Sequence, residues 1–161
     1  MKQKLKLALV GAGERGQYCY APYAKMHGYE IEFVAVADPH KGRREKFVQD
    51  YHVPAEGVFE TAEQFFARPR MADAVLICTQ DSQHYAYACQ AIDLGYSILL
   101  EKPISPSVRE CLDLQRRAEE KGTQIMVCHV MRYTKFYRKL MELIDSGVIG
   151  DVVHVTHTEN V

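Results

Sequence analysis

The sequence predicts an α/β chain built on a doubly wound parallel sheet. Three observations carry that reading. Short apolar runs rich in Val, Ile and Leu recur at 5–10, 31–37, 73–78, 96–100 and 124–128. Runs that are apolar on both faces mark parallel strands covered from both sides. Helical stretches fall between them, near 14–27, 40–51, 61–67, 82–93 and 107–121, and regular alternation of strand and helix implies crossover connections. A glycine-rich segment, GAGERG, joins the first run to the first helical stretch.

The elements follow in order. The N-terminus, MKQKLKLALVGAG, is briefly basic and then apolar. Its apolar part is too short for a signal peptide and ends in glycines, so it reads as the first strand. A weaker strand is expected at 57–59. Asp81 or Ser82 is expected to cap the helix that follows the fourth long run, and Ser105, with Pro106 in the first turn, the helix near 107. Gly122 ends that helix. A further helix over 135–146 runs out at Ser146-Gly147, and DVVHVTHTEN then alternates apolar and polar residues. Such alternation predicts a strand with one buried face, the opening of another sheet. The expected organisation is a dinucleotide-binding-type domain over 1–130, then a connecting helix and the first strand of an incomplete second α/β domain over 131–161. The chain therefore reads as the N-terminal piece of a longer protein. An uncovered apolar face near 148–155 predicts self-association, a homo-oligomer.

Composition narrows the class. The 161 residues are 47% hydrophobic and 25% charged, ordinary for a chain with a sizeable core. A formal net charge of -1 gives no electrostatic case for nucleic acid or an anionic membrane. No apolar run approaches the roughly 18 residues that cross a bilayer. Cys19, Cys78, Cys89, Cys111 and Cys128 include no CxxC pair and sit mostly in apolar stretches. They read as free thiols in a reducing compartment, which implies the cytoplasm.

GAGERG sets Gly11, Gly13 and Gly16 in G-x-G-x-x-G spacing between a strand and a helix. In that context the first glycine makes a tight turn, the second lets a pyrophosphate approach the backbone, and the third lets helix pack on strand. Free N–H groups and the helix dipole then face the phosphates. The next strand, IEFVAVADP, ends in Asp38, 22 residues past Gly16. A carboxylate there accepts hydrogen bonds from the adenosine ribose and repels a 2′-phosphate, which favours NAD over NADP. Arg43 and Arg44 pull the other way, since either side chain is long enough to meet a 2′-phosphate.

A second group of residues falls at the same edge of the predicted sheet. Thr79 to His84 follows the fourth run and LLEKP closes the fifth. Open α/β sheets bind ligands at the carboxyl ends of their strands. Asp81, Ser82 and His84 lie within one turn and do not line up as a hydrolase triad.

Taken in order, GAGERG, VADP, T-x-x-x-x-H, EKP and R-Y-x-x-x-Y-R-K-L-x-x-L-I-x-x-G-x-I-G resemble the glucose-fructose oxidoreductase / inositol dehydrogenase (Gfo/Idh/MocA) family. The resemblance implies an N-terminal Rossmann domain, a larger C-terminal α/β domain, and oxidation or reduction of sugars, inositols and related polyols with NAD or NADP. Carried over residue by residue, it implies that Gly11, Gly13 and Gly16, with Glu14 and Arg15 inside the loop, hold the pyrophosphate, and Asp38 the adenosine ribose. Thr79, Gln80 and His84 line the nicotinamide half, Glu101 and Lys102 border the nicotinamide ribose and substrate, and Arg132 stands near the active site. Lys102 is the catalytic residue that the resemblance implies, and Pro103 is expected to take a cis peptide bond. Gln80 stands where the family often has proline, Val130 where it often has asparagine, and Lys135 where it often has proline. The family's downstream D-x-x-x-H pair has no counterpart up to residue 161. His154 and His157 lie three apart in an expected strand and so point to opposite faces, which also argues against a shared metal.

The reading that results is the cofactor half of an NAD(P)-dependent oxidoreductase acting on a small sugar or polyol. An alcohol that loses hydride must also lose its hydroxyl proton, and a positioned lysine lowers that barrier. The alternative is a non-catalytic dinucleotide-binding or sensor module. The chain by itself is expected to be inactive without its substrate domain.

Overall fold

The computed structural model describes residues 3–159. They fall into two compact units, 3–128 and 129–159.

The first unit is built on one six-stranded parallel sheet: β1 (Leu5–Val10), β2 (Ile31–Ala37), β3 (Val58–Phe59), β4 (Ala74–Ile77), β5 (Ser97–Leu100) and β6 (Ile125–Val127). The order is β3-β2-β1-β4-β5-β6. The chain thus winds outward from β1 in one direction, crosses back, and winds outward from β4 in the other. Between β1 and β4 the order reverses, which opens a crevice at their carboxyl ends. Helices α1 (Pro22–Met26), α2 (Lys41–Tyr51), α3 (Ala62–Phe66), α4 (His84–Asp93) and α5 (Val108–Lys121) make the connections.

Alternation along the strands divides the core in two. Ala8, Val10, Val75, Ile77, Ile98 and Leu100 face one side, where Phe65, Ala88, Ala91, Ile92 and Leu114 of α3, α4 and α5 cover them. Leu7, Leu9, Phe33, Val36 and Leu76 face the other, against Ala24 and Phe47 of α1 and α2. Phe33 and Phe47 meet edge to face at 5.0 Å. A register shift between Leu7 and Ala8 lets β1 pair with β2 while both faces stay apolar.

The helix expected over 14–27 is not one helix. A wide turn over Glu14–Tyr20 comes first, closed by the Ala21 amide on the Gly16 carbonyl at 3.0 Å, and α1 begins afresh at Pro22. Pro22 has no N–H to continue the ladder, so the break falls there. The cap of α5 is Ser107, whose hydroxyl accepts from the Glu110 amide at 3.5 Å, two residues later than expected. Ser105 instead accepts from the Ser107 amide at 3.0 Å and shapes the approach. Gly122 ends α5 at φ 65°, as expected. Neither Asp81 nor Ser82 caps α4: Gln80 and Gln83 form a reciprocal cap over the short turn Asp81–Gln83.

The second unit holds a short turn, Val130–Tyr133, and α6 (Lys135–Asp145), capped by Thr134. Residues 151–159 form no strand, contrary to the alternating pattern. A strand is held by its partner, and none pairs with this stretch among the described residues; Asn160 lies outside them. No described helix is long and apolar enough to cross a membrane. The five cysteines are free.

The seam between α4 and α5 is polar at one point. Asp113 accepts from the Tyr85 hydroxyl at 2.7 Å, Arg116 at 2.8 Å and Arg117 at 2.6 Å. Those bonds hold its carboxyl well below the ordinary value of 3.8. A depressed carboxyl stabilises the fold above its unfolded value and loses that contribution as pH falls through the folded one. Urea midpoints are therefore expected to fall between about pH 4 and about pH 2, and Asp113→Asn to flatten that fall. An unchanged acid slope in Asp113→Asn contradicts the assignment.

Candidate active site

The carboxyl ends of β1, β2, β4 and β5 bring sequence-predicted residues to one edge, and the end of β6 adds a residue that was not predicted for the site. Gly11 follows β1, Asp38 follows β2, Thr79 lies just past β4, Glu101 and Lys102 follow β5, and Cys128 follows β6.

The glycine loop has three distinct constraints. The Gly11 amide donates to the Ala37 carbonyl at 2.8 Å, and its φ is +94°. A Cβ there would lie 2.5 Å from the Cys78 carbonyl oxygen, so only glycine fits the switch point. A Cβ on Gly16 would overlap the Gly11 carbonyl and lie 2.9 Å from Leu9, which is the close packing of turn on strand. Gly13 differs: a Cβ would meet only an Arg43 guanidinium nitrogen, at 3.9 Å. Nothing in the fold itself demands glycine at 13. The open space above it is the approach that a pyrophosphate requires.

Asp38 is buried, and both its oxygens are engaged: Oδ2 accepts from the Ala12 amide at 2.8 Å and Oδ1 from the His40 amide at 2.8 Å. The carboxylate fastens β2 to the glycine loop. An ionised carboxylate has about four acceptor positions, so two remain for ribose hydroxyls. Arg44 is buried, donating to the Asp38 and Pro39 carbonyls at 2.7 and 3.1 Å and pairing with Glu60 at 3.1 Å. It has no reach left for a 2′-phosphate. Arg43 is exposed beside Gly13.

Two further predicted side chains are buried. His84 is fully buried. Its Nδ1 lies 2.6 Å from the Pro103 carbonyl and its Nε2 3.2 Å from the Thr79 carbonyl. The shorter contact assigns the N–H to Nδ1. Its Nδ1–H donates to the Pro103 carbonyl, while Nε2, without a proton, only packs near the Thr79 carbonyl; buried there, His84 presents no face to a ligand. Glu101 is 6% exposed. Its Oε2 accepts from the Lys102 amide at 2.9 Å and its Oε1 from the Tyr20 hydroxyl. Burial first, then hydrogen bonds with Cys128 and Glu101, push the Tyr20 phenol well above its ordinary value, so it stays a donor. Tyr20 is the residue that sequence reasoning missed. A tyrosine four residues past a glycine fingerprint carries no signal of its own.

Lys102 is exposed, and its ammonium has no ion-pair partner among the described residues. The Lys102–Pro103 peptide bond is cis. The Thr79 hydroxyl and the Gln17 side-chain amide are buried without partners in the described structure. Unpaired buried donors are uncommon, and both flank the glycine loop. Together with the clear space above Gly13, they fit a dinucleotide. Glu14 and Arg15 are exposed on the wide turn, and Gln80 is exposed at the cap. Arg132 is exposed in the turn Val130–Tyr133 of the second unit.

A model of an oxidoreductase family with an NAD-binding Rossmann fold matches residues 5–129. The chain belongs to the Gfo/Idh/MocA oxidoreductase family. Among curated relatives within and around it, an inositol 2-dehydrogenase of Pseudomonas savastanoi pv. phaseolicola is 31% identical over 157 residues, covering 95% of this chain and 46% of the relative. The scyllo-inositol 2-dehydrogenase (NAD(+)) of Bacillus subtilis is 28% identical over 156 residues, covering 96% and 44%. The chain thus spans about half the length of the curated Gfo/Idh/MocA relatives it matches. The crystal structure of apo scyllo-inositol dehydrogenase from Lactobacillus casei superposes with a TM-score of 0.83 at 23% identity, over 94% of this chain and 44% of that one, and shares the fold.

The glycines separate by experiment. Gly16→Ala is expected to lower stability by about 1–3 kcal/mol through overpacking, whereas Gly13→Ala stays within about 0.5 kcal/mol of the unsubstituted chain. Urea unfolding of both variants checks the pair, and equal losses contradict the assignment of separate constraints.

Proposed function

We propose that this chain is the cofactor-binding part of an NAD(P)-dependent dehydrogenase that acts on a hydroxyl of a sugar, inositol or related polyol, with Lys102 as its proton-handling residue. The observation that carries the proposal is the place of Lys102: an exposed ammonium with no ion-pair partner among the described residues, at the carboxyl edge of β5, on the same edge as the glycine loop. When bound, the nicotinamide supplies hydride transfer. The chain's own residues supply the rest. The Gly11–Gly16 segment, with Glu14 and Arg15, holds the pyrophosphate. Asp38 receives the adenosine ribose. Thr79 and Gln80 border the nicotinamide end. Lys102 stabilises the developing alkoxide or relays its proton. His84 serves that site from behind, by donating to the Pro103 carbonyl next to Lys102. The protein works in the cytoplasm, and as a homo-oligomer.

Asp38 and Arg43 act in opposite senses on a 2′-phosphate, so both NAD and NADP are expected to bind. Calorimetric titration of the chain tests this. Gly13→Ala is expected to weaken both cofactors at least tenfold, and Arg43→Ala to weaken NADP about tenfold while leaving NAD within a factor of two; one charged contact to phosphate is commonly worth that much. Absence of saturable heat with either cofactor sinks the proposal. In the full-length protein, Lys102→Ala is expected to lower turnover of a polyol panel by about 10²–10⁴ with little change in cofactor affinity. Full activity in that variant removes Lys102 from the chemistry, and cofactor binding without any turnover leaves a non-catalytic module.

A further inference from the structure

The carboxylate of Glu101 is held by two neutral donors, a phenol and a main-chain amide. Glu101 follows β5 directly, with its amide on the Ile77 carbonyl at 3.0 Å, so its main chain is fixed by the sheet. Its side chain turns inward, where Oε1 accepts from the Tyr20 hydroxyl and Oε2 from the Lys102 amide at 2.9 Å. No ion pair to a lysine or arginine holds it among the described residues. The other titratable groups close enough to act on it are Arg15, Cys78 and Cys128. None of these three donates a hydrogen bond to it in the described structure.

Tyr20 reaches Glu101 because of the wide turn. The Gln17 amide closes on Gly13 at 2.9 Å and the Ala21 amide on Gly16 at 3.0 Å. The second of these bonds spans five residues rather than four, which rotates the end of the turn relative to an α-helix. Tyr20 lies on that rotated end and meets the ends of β5 and β6. One phenol thus joins the segment that carries the glycines to the residue that precedes Lys102.

We propose that Tyr20 is a positioning residue: its hydroxyl holds the Glu101 carboxylate off the Lys102 ammonium and so keeps that ammonium open to a reacting hydroxyl. The inference rests on the reading of Lys102 as the proton-handling group, and it concerns what keeps that group unpaired. A buried carboxylate that loses a donor must find another. The ammonium of the adjacent residue, on a flexible four-carbon stem, can come to it, in competition with the Arg15 guanidinium. An ion-paired ammonium is less available both to a substrate and to an acylating reagent.

Acylation of the 161-residue chain with N-hydroxysuccinimidyl acetate at fixed pH, followed by mass spectrometry, reads this directly. The rate at Lys102 is taken relative to the exposed Lys121. Tyr20→Phe is expected to slow Lys102 about two- to fivefold, the protection that a partly exposed ion pair gives. Tyr20→Phe/Glu101→Gln is expected to restore the rate, because a neutral amide forms no ion pair. Glu101→Gln alone is expected to leave it unchanged, since the carboxylate is already held by Tyr20. No slowing in Tyr20→Phe, slowing that persists in the double variant, or faster labelling in Glu101→Gln each overturns the proposal. Should Tyr20→Phe fail to fold, Glu101→Gln decides: an unchanged rate supports the role of Tyr20 and a faster one excludes it. Turnover is not read, so the outcome stands apart from whether the full-length protein is a dehydrogenase.

Discussion

The Gly11 amide on the Ala37 carbonyl, with no room for a Cβ beside the carbonyl of Cys78, is the contact on which the carboxyl edge depends. It fixes β1 between β2 and β4 at the point where the winding reverses. A side chain at 11 would push the β1 and β4 ends apart, and the crevice would lose its floor. Asp38 then secures the loop from the β2 side through the Ala12 amide, and Thr79 and Glu101 take their places from the neighbouring strand ends. The geometry of the edge is thus set by backbone packing, with side chains fastened onto it afterwards.

Two buried carboxylates do much of that fastening, and by the same means. Asp38 rests on two main-chain amides, and Glu101 on one amide and one phenol. Burying an ionised group without partners is costly, and neutral donors meet that need without adding positive charge. The cations nearby, Arg43 and Lys102, therefore stay exposed. The positive groups of this edge are thus not consumed in holding its buried acids.

The fold was largely legible because its signal is local and periodic. Runs apolar on both faces located the strands to within a residue or two, and even the short pair Val58–Phe59 showed in the pattern. The errors have physical sources. Pro22 splits a helix whose hydrophobic spacing continues across it. Ser105 and Ser107 are both competent caps, and the choice between them falls to how the chain enters α5. The alternation over 151–159 describes a strand's preference, but a strand exists only when paired. At the sheet edge, the positions of the glycines, Asp38 and the Glu101–Lys102 pair at strand ends were readable from the apolar runs that precede them. The directions of side chains were not: that Glu101 faces Tyr20, that His84 is enclosed, and that Arg44 is bound to main-chain carbonyls are matters of tertiary packing. Tyr20 could be found only by asking what holds a buried acid.

The unequal constraints on the three glycines also leave a historical trace. Gly11 and Gly16 are held by the fold itself, whereas Gly13 is held only by whatever must come close to it. In a lineage that gave up its dinucleotide but kept the domain, selection would continue to guard positions 11 and 16 and would release 13. The middle glycine is thus a molecular record of cofactor use, legible in a descendant's sequence even after every other trace of the chemistry has drifted away.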